Sequence, residues 1–168
     1  MSPASPLVLM TTSGATVGAT RAIANLQTKP ADENDYRICY SRGVPEWEIY
    51  QTDEVAAWLD GLQADDPKSA ELVDDSIFAL SCSGPTLGRP LVDTITASTI
   101  KNLKELRPPS SGTSKIRILF AFDPWRSAIL LVAGNKEGKW NRWYAEAIPR
   151  AEQLYEVYLK ERAEEESR

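Results

Sequence analysis

The chain has no histidine, and only two cysteines and two methionines, among its 168 residues. Without histidine there is no Ser-His-Asp triad, no Cys-His pair and no imidazole general base. Two cysteines, Cys39 and Cys82, are too few for an all-thiolate zinc site or a disulfide framework. The longest apolar run, Ala128–Ala133, falls far short of the ~20 residues that a spanning helix needs. Gly14 and Gly18 are followed by no Gly-Lys-Ser/Thr, which excludes a phosphate-binding loop. What is present is ordinary for one globular domain: a 42% hydrophobic share and a length that can bury a core. The net charge of −5 conceals a segregation. Glu46 to Leu80 carries ten acids and one base, Lys68, whereas Lys101 to Arg150 carries ten bases and four acids. A basic back half suits a polyanionic partner, and ion pairing between the halves is the alternative that charge alone leaves equally open.

Residues 1–43 are rich in Thr, Ser, Gly, Ala and Pro and hold no lasting periodicity. They read as a flexible N-terminal extension, with Met10 an alternative initiator and Tyr36–Tyr40 a short strand. The domain proper is expected over 44–163, with 164–168 a charged tail that frays. Trp47 and Ile49 alternate with Glu46, Glu48 and Tyr50 as in a half-buried strand. Thr52 then suits a helix N-cap, and Val55, Trp58, Leu59 and Leu62 form one apolar stripe. Asp66-Pro67 starts a second helix, whose stripe Ala70, Val73, Ile77 and Leu80 ends at Gly84-Pro85. These two helices make an antiparallel hairpin.

Lys101–Arg107 is expected to be an irregular strand. Ile116, Ile118 and Phe120 alternate on the core face of the next, and the Asp123-Pro124 turn leads into an apolar central strand over Ala128–Ala133. A helix follows from about Asn141, with Pro149 expected either to kink it or to begin a second segment. The fold class is α+β: an N-terminal strand and two-helix hairpin packed on a small antiparallel β-meander, with a C-terminal helix.

Chemistry is expected on the meander. With Ile116, Ile118 and Phe120 inward, Arg117 points to the other face of its strand. Lys104 and Arg107 on the strand before it, and Lys136 just past the strand after it, can converge there. Such a cluster suits a phosphate or the charge of a phosphoryl-transfer transition state. Trp140 and Trp143, beside Lys139 and Arg142, offer stacking faces for unpaired bases, although core burial is the commoner fate of aromatics on such a helix. Cys82 reads as a buried small hydrophobe, and Asp65-Asp66 and Asp74-Asp75 as helix starts and solvated faces.

From Trp47 to Leu159 the sequence resembles the RelE/ParE superfamily of toxins from type II toxin–antitoxin modules, most closely its HigB-like, phage-derived branch. The resembling segments are Trp47-Glu48-Ile49, Trp58-Leu59-Asp60-Gly61-Leu62 and Gly84-Pro85-Thr86-Leu87-Gly88-Arg89-Pro90-Leu91. Asn102-Leu103-Lys104-Glu105-Leu106-Arg107, Arg117-Ile118-Leu119-Phe120 and Gly134-Asn135-Lys136 complete the set. The resemblance implies a cytoplasmic, ribosome-dependent endoribonuclease that cuts mRNA in the A site by metal-free, cofactor-free attack of the 2′-OH. It also implies a helix-turn-helix antitoxin as partner, contact with operator DNA only through that antitoxin, and no membrane. Position by position, it makes Lys104, Arg107, Arg117 and Lys136 the catalytic candidates. Arg89, Lys101, Lys139, Trp140 and Arg142 are the RNA-contacting ones. Glu105 is either a proton acceptor or a partner for Arg107, and the absence of histidine leaves acid and base unassigned. A gyrase-inhibiting toxin of the ParE kind and a non-catalytic binding module are the rival readings.

Overall fold

Strands and helices follow the hydrophobic periodicity closely in the computed structural model, which describes residues 20–22, 46–110, 112–138 and 140–168. The order is β1 (Thr20–Ala22), β2 (Glu48–Thr52), α1 (Asp53–Asp65), α2 (Pro67–Ser83), a 3-10 turn (Gly84–Thr86) and β3 (Val92–Thr94). Then come β4 (Lys104–Leu106), β5 (Ile116–Phe122), β6 (Ser127–Asn135) and α3 (Trp140–Glu166). The six strands form one sheet in the order β1-β2-β6-β5-β4-β3. Only β2 and β6 run parallel; every other neighbouring pair is antiparallel. The sheet is therefore mixed, an antiparallel meander extended through a parallel partner. Thr20–Ala22 pairs as an edge strand within the stretch expected to be a flexible extension, and the strand expected over Tyr36–Tyr40 lies outside the described residues.

The helix starts are those that the side chains dictate. Thr52 accepts from the Val55 amide at 3.3 Å, and Asp66 accepts from the Ser69 amide at 3.1 Å, with Pro67 opening α2. Gly84 ends α2 at φ +53°, and a Cβ there would collide with the Trp47 indole. Both its conformation and the close approach of that ring demand glycine. The expected stripe of α2 is buried: Ala70, Val73, Ile77 and Leu80 are all 4% exposed or less.

Two cores flank the sheet. α1 and α2 cover one face through Val55, Val73, Ile77 and Leu80, meeting Leu106, Ile118, Phe120 and Leu130. α3 covers the other, where Ala147, Ala151, Leu154 and Tyr158 meet Leu119, Ala121, Ile129 and Leu131. The second face of β5 is thus interior as well, because α3 is long enough to lie across it. Pro149 sits inside α3 and does not divide it. The helix also continues to Glu166, past the expected fraying point. Buried Arg162 holds that end: its guanidinium lies 4.9 Å from the Tyr50 ring centroid and 5.5 Å from that of Trp125, and it pairs with Glu165 and Glu166.

The β5–β6 turn uses Asp123 as expected. Its Oδ1 accepts from the amides of Trp125 and Ser127 at 2.9 and 2.8 Å, and its Oδ2 from the Tyr158 hydroxyl at 2.5 Å. Further along, the register slips. Leu119 faces Val132 but Phe120 faces Leu130, which leaves Leu131 as an extra residue in β6. Leu131 and Val132 both pack on the α3 side, whereas Leu130 and Ala133 pack on the α1–α2 side. This β-bulge inverts the facing of everything after it in β6. Thr52 secures it: its hydroxyl donates to the Leu131 carbonyl at 3.0 Å while it caps α1.

Thr52→Val is expected to lower stability by about 2 kcal/mol, because it removes the cap and leaves the Leu131 carbonyl unpaired. Thr52→Ser is expected to retain most of it, in urea titrations of the two variants side by side. Gly134→Ala, which would drive a Cβ into the Trp143 indole, is expected to cost about 1–3 kcal/mol in the same assay.

Candidate functional site

Three strands and the first turns of α3 bring four polar side chains together on the α3 face of the sheet. Glu105 is the middle residue of β4 and lies opposite Leu119, which faces α3. Arg117, two residues before Leu119, shares that face. On β6 the bulge carries Val132, Gly134 and then Lys136 to the same side. Tyr144 comes from α3, on the stripe it shares with Ala147 and Ala151. Gly134 lies opposite Arg117 and gives room for Trp143, whose ring meets Tyr144 edge-on at 5.0 Å between centroids.

The four groups form one hydrogen-bonded and ionic network. Lys136 Nζ donates to the Tyr144 hydroxyl at 2.7 Å, and that hydroxyl donates to Glu105 Oε2. Glu105 Oε1 lies 3.6 Å from Arg117 Nε and 3.7 Å from Arg107 Nε. Arg117 Nη1 donates to the Ile116 carbonyl at 2.6 Å, while its buried Nε makes no hydrogen bond. Glu105, Arg117 and Lys136 are 4%, 8% and 2% exposed. Charges so far from water are tolerated because they face one another, and removing one partner strands the rest.

Burial sets the proton affinities. It lowers the Lys136 ammonium to about 8 against the attraction of Glu105, with the nearby Arg117, Arg107 and Lys115 charges pushing the same way as burial. Burial and the bond to Glu105 raise the Tyr144 phenol, so it stays protonated at neutral pH. Burial lowers Arg117 while Glu105 opposes it. The result is a hydroxyl held between a titratable ammonium and a carboxylate, an arrangement able to pass a proton either way.

Of the residues singled out from sequence, Arg107, Arg117 and Lys136 come together. Lys104 does not: strand alternation puts it with Leu106 on the opposite face of β4, where its Nζ donates to Thr94 Oγ1 at 2.8 Å. Lys101 is exposed in the turn before β4, and Arg142 is exposed on α3 and paired with Glu146 at 3.2 Å. Arg89 is exposed and reaches Asp93 Oδ2 at 2.8 Å. Lys139 and the Trp140 side chain lie outside the described residues. Trp143 packs on the sheet and takes the core role rather than a stacking one. Tyr144 was missed as a site residue, although its place on the inward stripe of α3 signals that its hydroxyl meets the sheet. Cys82 is half-buried at the end of α2, less enclosed than the small hydrophobe expected there. Asp66 is a helix cap as read, and the described residues hold no group of three or more His, Cys, Asp or Glu side chains placed to bind a metal. Part of the charge segregation is internal, in the pairs Arg126–Glu46 at 3.3 Å and Arg150–Glu54.

Residues 57–156 match the family described as "Phage derived protein Gp49-like (DUF891)", a span that holds every member of the buried network. The chain is similar to "Putative toxin HigB2" of Mycobacterium tuberculosis (strain ATCC 25618 / H37Rv), 51% identical over 107 residues, 64% of this chain and 52% of that protein. It is also similar to "Putative toxin HigB3" of the same strain, 52% identical over 106 residues, 63% of this chain and 88% of that one. The match spans about half the length of HigB2. No solved structure matches. The phage-derived, HigB-like resemblance seen in the sequence is thereby borne out.

Replacing Glu105 by Gln removes the attraction that props up the Lys136 ammonium. Its titration midpoint, followed by NMR of 13C-labelled lysine, is expected to fall from about 8. The folded value lies below the ordinary 10.5, so the native state binds fewer protons between the two. Stability from this group is then expected to rise with pH from about 8 to 10.5 in the wild type.

Proposed function

The chain belongs to the phage-derived Gp49-like family, and on that premise we propose that it is the toxin of a toxin–antitoxin module and cleaves mRNA. The observation that carries this reading is the buried network itself: two arginines and a lysine gathered around one carboxylate and one tyrosine hydroxyl. The toxin names carried by HigB2 and HigB3 support it. The reaction is attack of an RNA 2′-OH on the adjacent phosphate, giving a 2′,3′-cyclic phosphate and a free 5′-OH. Arg107 and Arg117 hold the phosphate oxygens and take up the charge that grows in the transition state. The 2′-OH proton leaves through the Tyr144 hydroxyl to Glu105, the departing 5′-oxygen takes its proton from water, and the Lys136 ammonium behind Tyr144 adds positive charge next to the phosphate. Lys104, on the far face, has no role in this step. Cutting takes place in the ribosomal A site in the cytoplasm, and a cognate helix-turn-helix antitoxin neutralises the toxin and carries the pair to operator DNA.

Primer extension on a reporter mRNA in a reconstituted translation system tests this directly. Wild type is expected to leave ribosome-dependent cuts within codons, and Arg117→Ala to reduce them by about 100-fold or more. Lys104→Ala is expected to cut within a few-fold of wild type. Cutting is also expected to decline as pH rises through about 8, where Lys136 loses its proton. No cuts from the folded wild-type chain would reject the nuclease reading in favour of gyrase inhibition or binding alone.

A further inference from the structure

The sheet brings two carboxylates face to face at its edge. In the antiparallel pairing of β3 with β4, Asp93 lies directly opposite Glu105. Val92 and Leu106, their neighbours, pack on the α1–α2 side, so alternation turns both acids to the α3 side. Like charges placed opposite one another across two strands repel. Arg107 stands between them: its Nη1 donates to Asp93 Oδ2 at 3.2 Å, and its Nε lies 3.7 Å from Glu105 Oε1. The two contacts are unequal. The first is a hydrogen bond with charge on both partners, whereas the second is too long for one and attracts without fixing an angle.

Asp93 is itself held in place. Its Oδ1 accepts from the Thr94 amide at 2.9 Å. The Arg107 amide donates to the Leu91 carbonyl at 2.7 Å, which ties Arg107 to the same pair of strands. The Thr94 amide, then Arg89 and Arg107, keep the Asp93 carboxyl below the usual range, so it stays ionised at neutral pH. Arg89 reaches the same Oδ2 at 2.8 Å but is 77% exposed, and a pair so open to water contributes little. Arg107 is about one-third exposed and, with Arg117, faces an outer cavity of about 490 Å³ that Arg89 and Lys115 also line. Without Asp93 its long side chain would keep only the looser contact to Glu105 and regain rotamer freedom.

We infer that Asp93 is the positioning residue of Arg107: through its bond to Nη1 it holds the guanidinium beside Arg117 in the orientation that meets the phosphate. The inference rests on the nuclease reading for what Arg107 does. Asp93 itself touches neither the phosphate nor the proton in flight. Losing it leaves Arg107 present but misaimed, which costs rate more than binding.

The test pairs cutting kinetics with NMR of the 15N-arginine-labelled chain. Asp93→Ala is expected to lower kcat for mRNA cutting by about tenfold and to change KM by less than about twofold. In an Arg107→Ala background the same substitution is expected to cost nothing further, and in an Arg89→Ala background to keep its full cost. The Nη signals of Arg107 are expected to be resolved in wild type, where the bond to Asp93 hinders rotation about Nε–Cζ, and to coalesce in Asp93→Ala. Those of Arg117 stay as they are. Asp93→Asn keeps the bond from Thr94 and the size of the side chain. It is expected to show both effects in weaker form, about threefold in kcat, should the alanine variant not fold. An equal cost with and without Arg107 would overturn the proposal, as would Arg107 signals that ignore the loss of Asp93. Coalescence in a chain that never cuts mRNA would support the hold on Arg107 and reject the nuclease reading. Cutting at the wild-type kcat in Asp93→Ala would reject the hold and leave the nuclease reading standing.

Discussion

One extra residue in β6 organises the site. A strand alternates its side chains strictly, so without the bulge at Leu131 the facing of Gly134 and Lys136 would be inverted. Lys136 would then point to the α1–α2 side, and Gly134 would leave no seat for Trp143 against the sheet. The bulge leaves a backbone carbonyl to be satisfied, and Thr52 meets it from the neighbouring parallel strand. The same hydroxyl caps α1, so the start of the helical hairpin and the facing of the strand that carries Lys136 are joined through one side chain.

The second constraint is the burial of charge. Arg117, Lys136 and Glu105 lie beneath α3, where isolated ions are costly. Tyr144 turns the cluster into a closed chain from ammonium to hydroxyl to carboxylate. A layer of apolar packing, from Ala147 to Tyr158, keeps α3 seated above it. Trp143, pressed against Gly134 one residue before Tyr144, sets how closely the first turns of α3 approach the sheet. Packing and electrostatics are thus one problem here: the helix that completes the second core also delivers the group that makes the buried charges compatible.

The basic back half has more than one destination. Arg126 and Arg150 pair with Glu46 and Glu54 of the acidic front, at sites open enough to water that the pairs contribute little. Arg107 and Arg117 turn inward and, with Arg89 and Lys115, form the wall of the outer cavity. The span that matches the phage-derived family, residues 57–156, takes in β4, β5, β6 and the first turns of α3. It contains the network and all four cations of the cavity.

Local chemistry was legible in the sequence. Thr52 and Asp66-Pro67 mark helix starts, the stripe from Ala70 to Leu80 marks a buried face, and Asp123-Pro124 marks the turn, because each depends on residues only a few positions apart. The alternation of Ile116, Ile118 and Phe120 also sufficed to turn Arg117 away from them. Other features depend on distant partners. The short β3, the parallel pairing of β2 with β6 and the unbroken run of α3 through Pro149 exist because neighbouring surfaces need covering. Lys104 and Lys136 looked equivalent as bases beside the same strand. Strand parity sends the first to the α1–α2 face, and a bulge that no local signal announces brings the second to the α3 face. Sequence by itself determined the helix starts, the β5–β6 hairpin and which residues carry charge. Tertiary structure decided which charges meet, because facing in a sheet is set by register, and register is fixed only when strands far apart in the chain are paired.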